Sequence, residues 1–124
     1  VAYCFANIEG YSKFGSYAGN SLTDGAFVHL GFRPALLWIR NPAAANYWYL
    51  YDTARNPTNV SANILYGFIT DAENIGNAAY NLDIVSNGFK LRNSNAYLNS
   101  ANMIYMAFAE NPFGGENTAP ATAR

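Results

Sequence analysis

The sequence predicts an all-β fold, an antiparallel β-sandwich of the jelly-roll or concanavalin-like kind. Hydrophobic residues make up 51% of the 124 residues and aromatic residues 16%, mostly Tyr and Phe, which favour strands. Seventeen residues are Asn, which tolerates left-handed backbone and concentrates in turns. Short apolar runs alternate regularly with Asn, Gly and Pro breakers, a pattern typical of a sandwich. The length suits a single domain over residues 1–124.

Ten apolar or aromatic runs are predicted to be strands. In chain order they cover residues 2–6, 11–17, 26–32, 35–40, 47–51, 64–68, 82–86, 89–92, 96–98 and 103–109. The breakers between them include Gly19-Asn20, Asp24-Gly25, Arg33-Pro34, Asn41-Pro42, Asn56-Pro57, Asn87-Gly88 and Asn111-Pro112. A clean helical period is absent, and residues 57–65 and 69–79 have room for one helical turn each.

The runs 82–86 and 89–92 predict a β-hairpin, because Asn-Gly between apolar runs is the strongest short hairpin signal. A turn at Asn87-Gly88 places Asp83 opposite Arg92 as an exposed ion pair. The larger apolar side chains then share the face that points into the core. The expected inward residues are Leu82, Ile84, Phe89 and Leu91, and the expected outward residues are Asp83, Val85, Lys90 and Arg92.

Three predicted strands, 35–40, 47–51 and 103–109, are apolar on both faces. A two-layer sandwich of this size covers one face of each sheet, so we expect the outer face of one sheet to meet another chain. Charged residues make up 12% of the sequence, against about 25% in typical domains, which also favours a homo-oligomer. The last strand echoes residues 2–6, and we expect the two to pair at the centre of the fold.

Composition argues against several classes of protein. The net charge is −1 and the seven basic residues are scattered, so nucleic-acid binding is not expected. No apolar run approaches the roughly 20 residues of a membrane-spanning helix. Cys4 is the single cysteine and lies in an apolar run, which predicts a buried thiol without a disulfide. Because the chain lacks an initiator Met and opens in a strand, we expect it to be part of a longer protein.

Catalytic and metal-binding patterns are weak. His29 is the single histidine and no Gly-x-Ser-x-Gly elbow accompanies it, so we expect an imidazole on a strand face. Asp71, Glu73 and Asn74 offer oxygen ligands for calcium but lack EF-hand spacing, and a solvated loop is the simpler interpretation. Glu9 and Glu110 would approach each other if the two chain ends paired. We predict neither an enzyme nor a bound metal or cofactor.

The densest aromatic group is the candidate binding site. It comprises Tyr47, Trp48, Tyr49 and Tyr51. Alternation puts the three tyrosines on one face of a strand and Trp48 on the other. Exposed aromatic rings with Asn-rich loops suit a surface glycan or a protein partner. The competing interpretation is that both faces are core or interface.

Five motifs, in order, carry a resemblance to a known family. They are GSYAGN at 15–20, GFRPA at 31–35, WYLYDTAR at 48–55, SNGFKLR at 86–92 and IYMAFAENPF at 104–113. Together they resemble a domain widespread in tailed bacteriophages of marine and freshwater bacteria. That domain is found at or near the C-termini of tail-fibre-like and other virion structural proteins. The ending at 119–124, APATAR, also resembles that family's C-terminus.

The resemblance implies a β-sandwich on the surface or tail of a virion that is assembled in the host cytoplasm. It implies a symmetric multimer, with a trimer favoured, other virion proteins as partners, and contact with a host surface polysaccharide. It supplies no catalytic residue. Two alternatives stay open: a capsid decoration or cement protein without receptor binding, and a lectin-like carbohydrate-binding module.

Overall fold

A computed structural model describes residues 1–113, and these form an all-β fold with two antiparallel sheets, as the sequence predicts. The strands are β1 (Ser12–Ala18), β2 (Phe27–His29), β3 (Pro34–Arg40), β4 (Trp48–Asp52), β5 (Leu65–Gly67), β6 (Leu82–Val85), β7 (Gly88–Leu91) and β8 (Asn102–Ala109). The five-stranded sheet has the order β1-β8-β3-β4-β5, and the three-stranded sheet has the order β2-β7-β6. The ending at 119–124 lies outside the described residues.

The core lies between the two sheets and is filled by every second residue of the strands. In β3, Leu37 and Ile39 are fully buried while their neighbours point outward, and β8 alternates in the same way. The strands that are apolar on both faces therefore have one face in the core and one on the outside. The inward side chains that are fully buried include Leu37, Ile39, Tyr51, Leu82, Phe89, Leu91 and Met103.

The predicted hairpin has the expected faces but a different pairing. The four inward residues are buried, with exposures of 0–1%. The ladder, however, pairs Ile84 with Phe89 and Asp83 with Lys90, which moves the turn to Ser86-Asn87. Each residue of β6 pairs two positions earlier on β7 than predicted. Because side chains alternate with a period of two, every side chain stays on its predicted face. Gly88 belongs to β7 because a Cβ there would lie 2.0 Å from the Val28 carbonyl oxygen, so this glycine permits close approach to β2.

Two predicted strands are wrong. Residues 96–98 belong to a short helix, α1 (Ala96–Asn99), because the Asn95 side chain caps it by accepting a hydrogen bond from the Tyr97 amide. Residues 2–6 join no sheet, and the neighbours of β8 are β1 and β3, so the two chain ends do not pair. Cys4 is consequently exposed rather than buried. Of the two segments with room for a helical turn, the second ends in a 3-10 turn, Ala78–Tyr80.

A buried asparagine joins the loops at one end of the sandwich. Asn99 is 0% exposed. Its amide nitrogen lies 2.7 Å from the Asn93 carbonyl oxygen and 2.8 Å from that of Leu22, and its side-chain oxygen accepts from the Asn20 amide. Part of the asparagine in this chain thus satisfies main-chain groups inside the fold, besides forming turns.

Candidate functional site

The outward side of the five-stranded sheet, here called the outer face, is apolar at its centre, with the polar residues Ser16, Arg40, Asp52 and Asn102 at its margin. Cross-strand pairs build it: Trp38 of β3 lies opposite Met106 of β8 on one side and Leu50 of β4 on the other. Most of its side chains are half-buried, and Ile104 is 36% exposed. The apolar residues of the outer face are Phe14, Leu36, Trp38, Trp48, Leu50, Leu65, Ile104, Met106 and Phe108.

An aromatic cluster occupies the β3–β4 part of the outer face. The rings of Trp38 and Trp48 meet edge to face at 6.1 Å, and the Arg40 guanidinium lies 6.0 Å from the Trp48 ring centroid. Phe68 packs edge-on against Trp38 at 6.3 Å and is 84% exposed. The φ angle of Phe68 is 70°, which is unfavourable for a bulky residue. Trp, Phe and Arg in contact are typical of the centre of a protein interface.

A second aromatic cluster occupies the β1–β8 part of the same face. Phe5, from the segment before β1, stacks on Phe14 with centroids 5.2 Å apart and touches Phe108 edge-on at 6.5 Å. Tyr11 contacts Phe108 at 6.4 Å and Phe113 at 5.5 Å. Phe5 remains 61% exposed and Phe113 remains 82% exposed. The aromatic rings that lie over the outer face thus leave much apolar surface in water.

The outward side of the three-stranded sheet carries ion pairs beside the apolar side chains of Phe27 and Val85. The Lys90 ammonium lies 2.8 Å from an Asp24 carboxylate oxygen, and Arg92 Nε donates to Asp83 at 2.6 Å. The hydrogen bond from Lys90 lowers the pKa of the Asp24 carboxyl group. Asp83 and Arg92 therefore form the predicted ion pair, but diagonally rather than opposite each other. The outward side of the three-stranded sheet is therefore better suited to contact with water than the outer face of the five-stranded sheet.

The structure separates the four predicted binding residues. Tyr49 and Tyr51 are 3% and 0% exposed and belong to the core, so they are unavailable to a surface ligand. Trp48 is half-buried on the outer face, and Tyr47 is exposed at the end of the sandwich. The predicted alternation of Tyr49 and Tyr51 with Trp48 is correct, but the structure turns the face that carries Tyr49 and Tyr51 into the core and so removes them from the binding surface.

Tyr47 and Tyr49 belong to a tyrosine cluster that also contains Tyr66 and Tyr80. Neighbouring rings lie 5.8–6.4 Å apart. The hydrogen bond with Tyr66 raises the pKa of Tyr80 to about 12. Burial raises the pKa of Tyr49 well above its usual range. Tyr47, 45% exposed, brings this cluster to the surface.

The acids and the histidine weighed for chemistry are dispersed. Glu110 pairs with Arg33 at 2.9 Å, Glu73 pairs with Arg55 at 3.3 Å, and His29 is exposed on β2 as expected. The pairing of chain ends that would bring Glu9 to Glu110 does not occur. In residues 1–113, no group of three or more His, Cys, Asp or Glu side chains is placed to hold a metal ion. The same residues contain no helix long and apolar enough to cross a membrane.

Sequence reasoning missed the exposed rings of Phe5 and Phe68. Phe68 lies in the predicted strand 64–68. Its left-handed backbone is not predictable from the sequence, because Phe rarely adopts that conformation. Phe5 lies in the predicted strand 2–6, and alternation along that strand does not predict the stacking of its ring on Phe14.

Fold and surface together define a small antiparallel β-sandwich domain in which one sheet has an apolar outer face. The chain belongs to the family described as domain of unknown function DUF7483, whose sequence profile matches residues 1–112. No curated protein and no solved structure matches the chain. The family match includes residues 1–6, so this segment is part of the shared domain.

Proposed function

We propose that this chain is a structural domain of a tailed-bacteriophage virion, from a tail fibre or a capsid-surface fibre. In this proposal the domain forms a homo-oligomer, with a trimer favoured, and turns its loops toward the host surface. The outer face is the oligomer interface. The motif resemblance supports the class of protein, and the surface supports the mode of assembly.

The observation that carries the proposal is the contrast between the two sheets. A monomeric β-sandwich has polar outward positions on both sheets. Here the three-stranded sheet follows that pattern with ion pairs, whereas the five-stranded sheet presents Leu, Ile, Met, Phe and Trp. Contiguous apolar surface of this kind marks an association site in soluble proteins. Phe68 lies on it as an exposed anchor.

Contact with the host surface would then fall to residues outside the outer face. Tyr47 and Tyr97 are 45% and 46% exposed, and the Asn74 side chain donates to the Tyr66 hydroxyl of the tyrosine cluster at 3.4 Å. Tyr and Asn are common in adaptable binding surfaces because they combine apolar contact with hydrogen bonding. Trp48, which lies on the outer face, is assigned to the oligomer interface instead.

A matched pair of charge substitutions tests the interface. Ile104→Lys places an ammonium on the outer face of the five-stranded sheet, and Val85→Lys does the same on the outward side of the three-stranded sheet. We expect the first to give a folded monomer and the second to keep the multimer, both measured by light scattering after gel filtration. Equal behaviour of the two variants would contradict the assignment of the interface.

A glycan array separates the rival functions. Binding of the multimer to a bacterial polysaccharide, lost on Tyr47→Ser with the multimer intact, would support a fibre domain. A multimer that binds no glycan would support the decoration-protein alternative. A monomer that binds glycans would contradict the virion proposal and support the lectin-like alternative.

A further inference from the structure

The first six residues form an apolar segment that pairs with no strand of residues 1–113. Within it, large side chains alternate with small ones: Val1, Tyr3 and Phe5 alternate with Ala2, Cys4 and Ala6. All six residues are exposed, and Tyr3 is 83% exposed. Period-two alternation of this kind is the pattern of a strand with one buried face. The segment lies within the family match.

The segment starts a hairpin with β1 and then leaves it. Ile8 and Ser12 exchange both main-chain hydrogen bonds, at 2.9 and 3.0 Å, around a turn in which Gly10 has a φ of 71°. The next amide on β1, that of Phe14, donates to the Asn7 side chain at 2.8 Å instead of to a main-chain carbonyl. The Asn7 side chain thus takes the place of a main-chain carbonyl in the hairpin, and the residues before Asn7 pass over the outer face.

The edge of β1 beyond this point is open. Ser12 and Phe14 direct their amides to this edge, and orientation alternates along a strand, so those of Ser16 and Ala18 point the same way. β1 is the terminal strand of its sheet, and no described strand pairs with this edge. Ser16 and Ala18 carry no charge and are exposed, so the edge lacks the usual protection against pairing with another chain.

The sandwich is also open on the inner side of this edge. A groove of about 430 Å³ runs between the start of β1 and the end of β2, with Lys13 and Phe32 among its lining residues. Gly15 is the next inward position after Lys13, and it is exposed although it points toward the core side. The groove borders the Ser12–Lys13 end of this edge, and further along it the Tyr105 ring covers the inward side of Gly15.

We propose that residues 1–6 of one copy pair with the free edge of β1 in a second copy, so that neighbouring domains exchange N-terminal strands. This inference rests on the proposed function, because it names how the multimer is joined. The register is the one that the interrupted hairpin would continue. It sets Phe5 opposite Gly15, Cys4 opposite Ser16 and Tyr3 opposite Tyr17.

Residue size agrees with this register. Tyr3 and Phe5 point inward, where Phe5 lies beside Gly15 and the Tyr105 ring that covers it, and aromatic side chains are favourable cross-strand neighbours. Cys4 and Ala6 point outward beside Phe14, where small side chains leave the outer face free. Within one copy, Phe5 is on the outer side, stacked on Phe14. In the exchange, residues 1–6 turn away from their own copy before the Ile8–Ser12 pair and follow β1 of the second copy in the proposed orientation.

Cys4 provides the test. The variant Ser16→Cys places a second thiol opposite Cys4, within the 4.4–6.8 Å Cα separation that a disulfide requires. We expect mild oxidation to give a covalent multimer, with peptide mass spectrometry identifying Cys4 joined to the introduced cysteine of another copy. Ser86→Cys, an exposed position on the β6–β7 turn, is the control and should give no such product.

Two other outcomes would overturn the inference. A disulfide within one chain would mean that the segment folds back on its own β1. No disulfide at position 16, in a chain that light scattering still shows to be multimeric, would leave the virion proposal standing and exclude strand exchange. A chain that is monomeric before any substitution would contradict the virion proposal itself.

Substitutions in the segment give an independent readout. The double variant Tyr3→Ser with Phe5→Ser removes the large inward side chains, and we expect it to dissociate the multimer. The double variant Ala2→Ser with Ala6→Ser changes the small face and should leave the multimer intact. If the two double variants retain the same mass, the large side chains do not join the copies and the inference is wrong.

Discussion

Replacing Phe68 tests whether this exposed ring contributes to binding a partner rather than to the free energy of unfolding of the single domain. The φ angle of 70° at Phe68 disfavours a residue with a side chain by about 1–2 kcal/mol. Its edge-on contact with Trp38 contributes about 0.5–1.5 kcal/mol in the other direction. Phe68→Asn removes both effects, because Asn adopts left-handed backbone more readily. We therefore expect the free energy of unfolding to change by less than about 1 kcal/mol.

Phe68→Ala is the matched control, because it removes the ring and keeps the strain. We expect it to be about 1 kcal/mol less stable than Phe68→Asn. Urea unfolding, compared at equal m values, measures both variants. Both variants are made in the Ile104→Lys background, which we expect to be monomeric. Dissociation of a multimer then does not contribute to the measured free energy of unfolding. A loss above about 2 kcal/mol in Phe68→Asn would refute the reasoning, since the ring would then stabilise the monomer rather than serve a partner.

Three further predictions concern the fold. Leu37 is fully buried beside Trp38, so Leu37→Ala should lower the free energy of unfolding, measured in urea, by about 2–5 kcal/mol. A loss under about 1 kcal/mol would mean that Leu37 does not lie in the core. Asn99→Ala should lower it by about 1–3 kcal/mol because buried main-chain groups lose their partners, and an unchanged urea midpoint would contradict this. Burial raises the pKa values of Tyr17, Tyr49 and Tyr51, and the hydrogen bond with Tyr66 raises that of Tyr80, all above the unfolded value of about 10. The contribution of these four tyrosines to stability should therefore be fully present below about pH 10 and fall as the pH rises above it. Urea unfolding at about pH 9 and about pH 11 measures this, and an equal free energy of unfolding at the two pH values would contradict it.

Residue pattern predicted the sheets better than the start of the chain. Alternation correctly assigned the faces of β6 and β7, and the absence of polar residues correctly marked β3, β4 and β8 as strands with two apolar faces. The hairpin pairing failed because Gly88 serves close packing against β2, which the Asn-Gly signal does not distinguish from a turn. Residues 2–6 failed as a strand because the pattern reports suitability for a sheet and not the presence of a partner in the same chain.

The binding site was predictable in part. Alternation was enough to place Tyr49 and Tyr51 on one side of β4, but which side was the core depended on long-range packing against β6 and β7. The tyrosine cluster around Tyr80 joins segments far apart in sequence, so no local signal announced it. The left-handed backbone of Phe68 was equally invisible, because Phe is a residue type that rarely adopts it.

The mass of the unmodified chain in solution tests the central claim most directly. Sedimentation equilibrium over the micromolar range measures it without assuming a shape. If the outer face is an interface between copies, the chain sediments as a stable multimer, with three times the 13.6 kDa mass of one copy favoured. A well-behaved monomer throughout that range would contradict the claim.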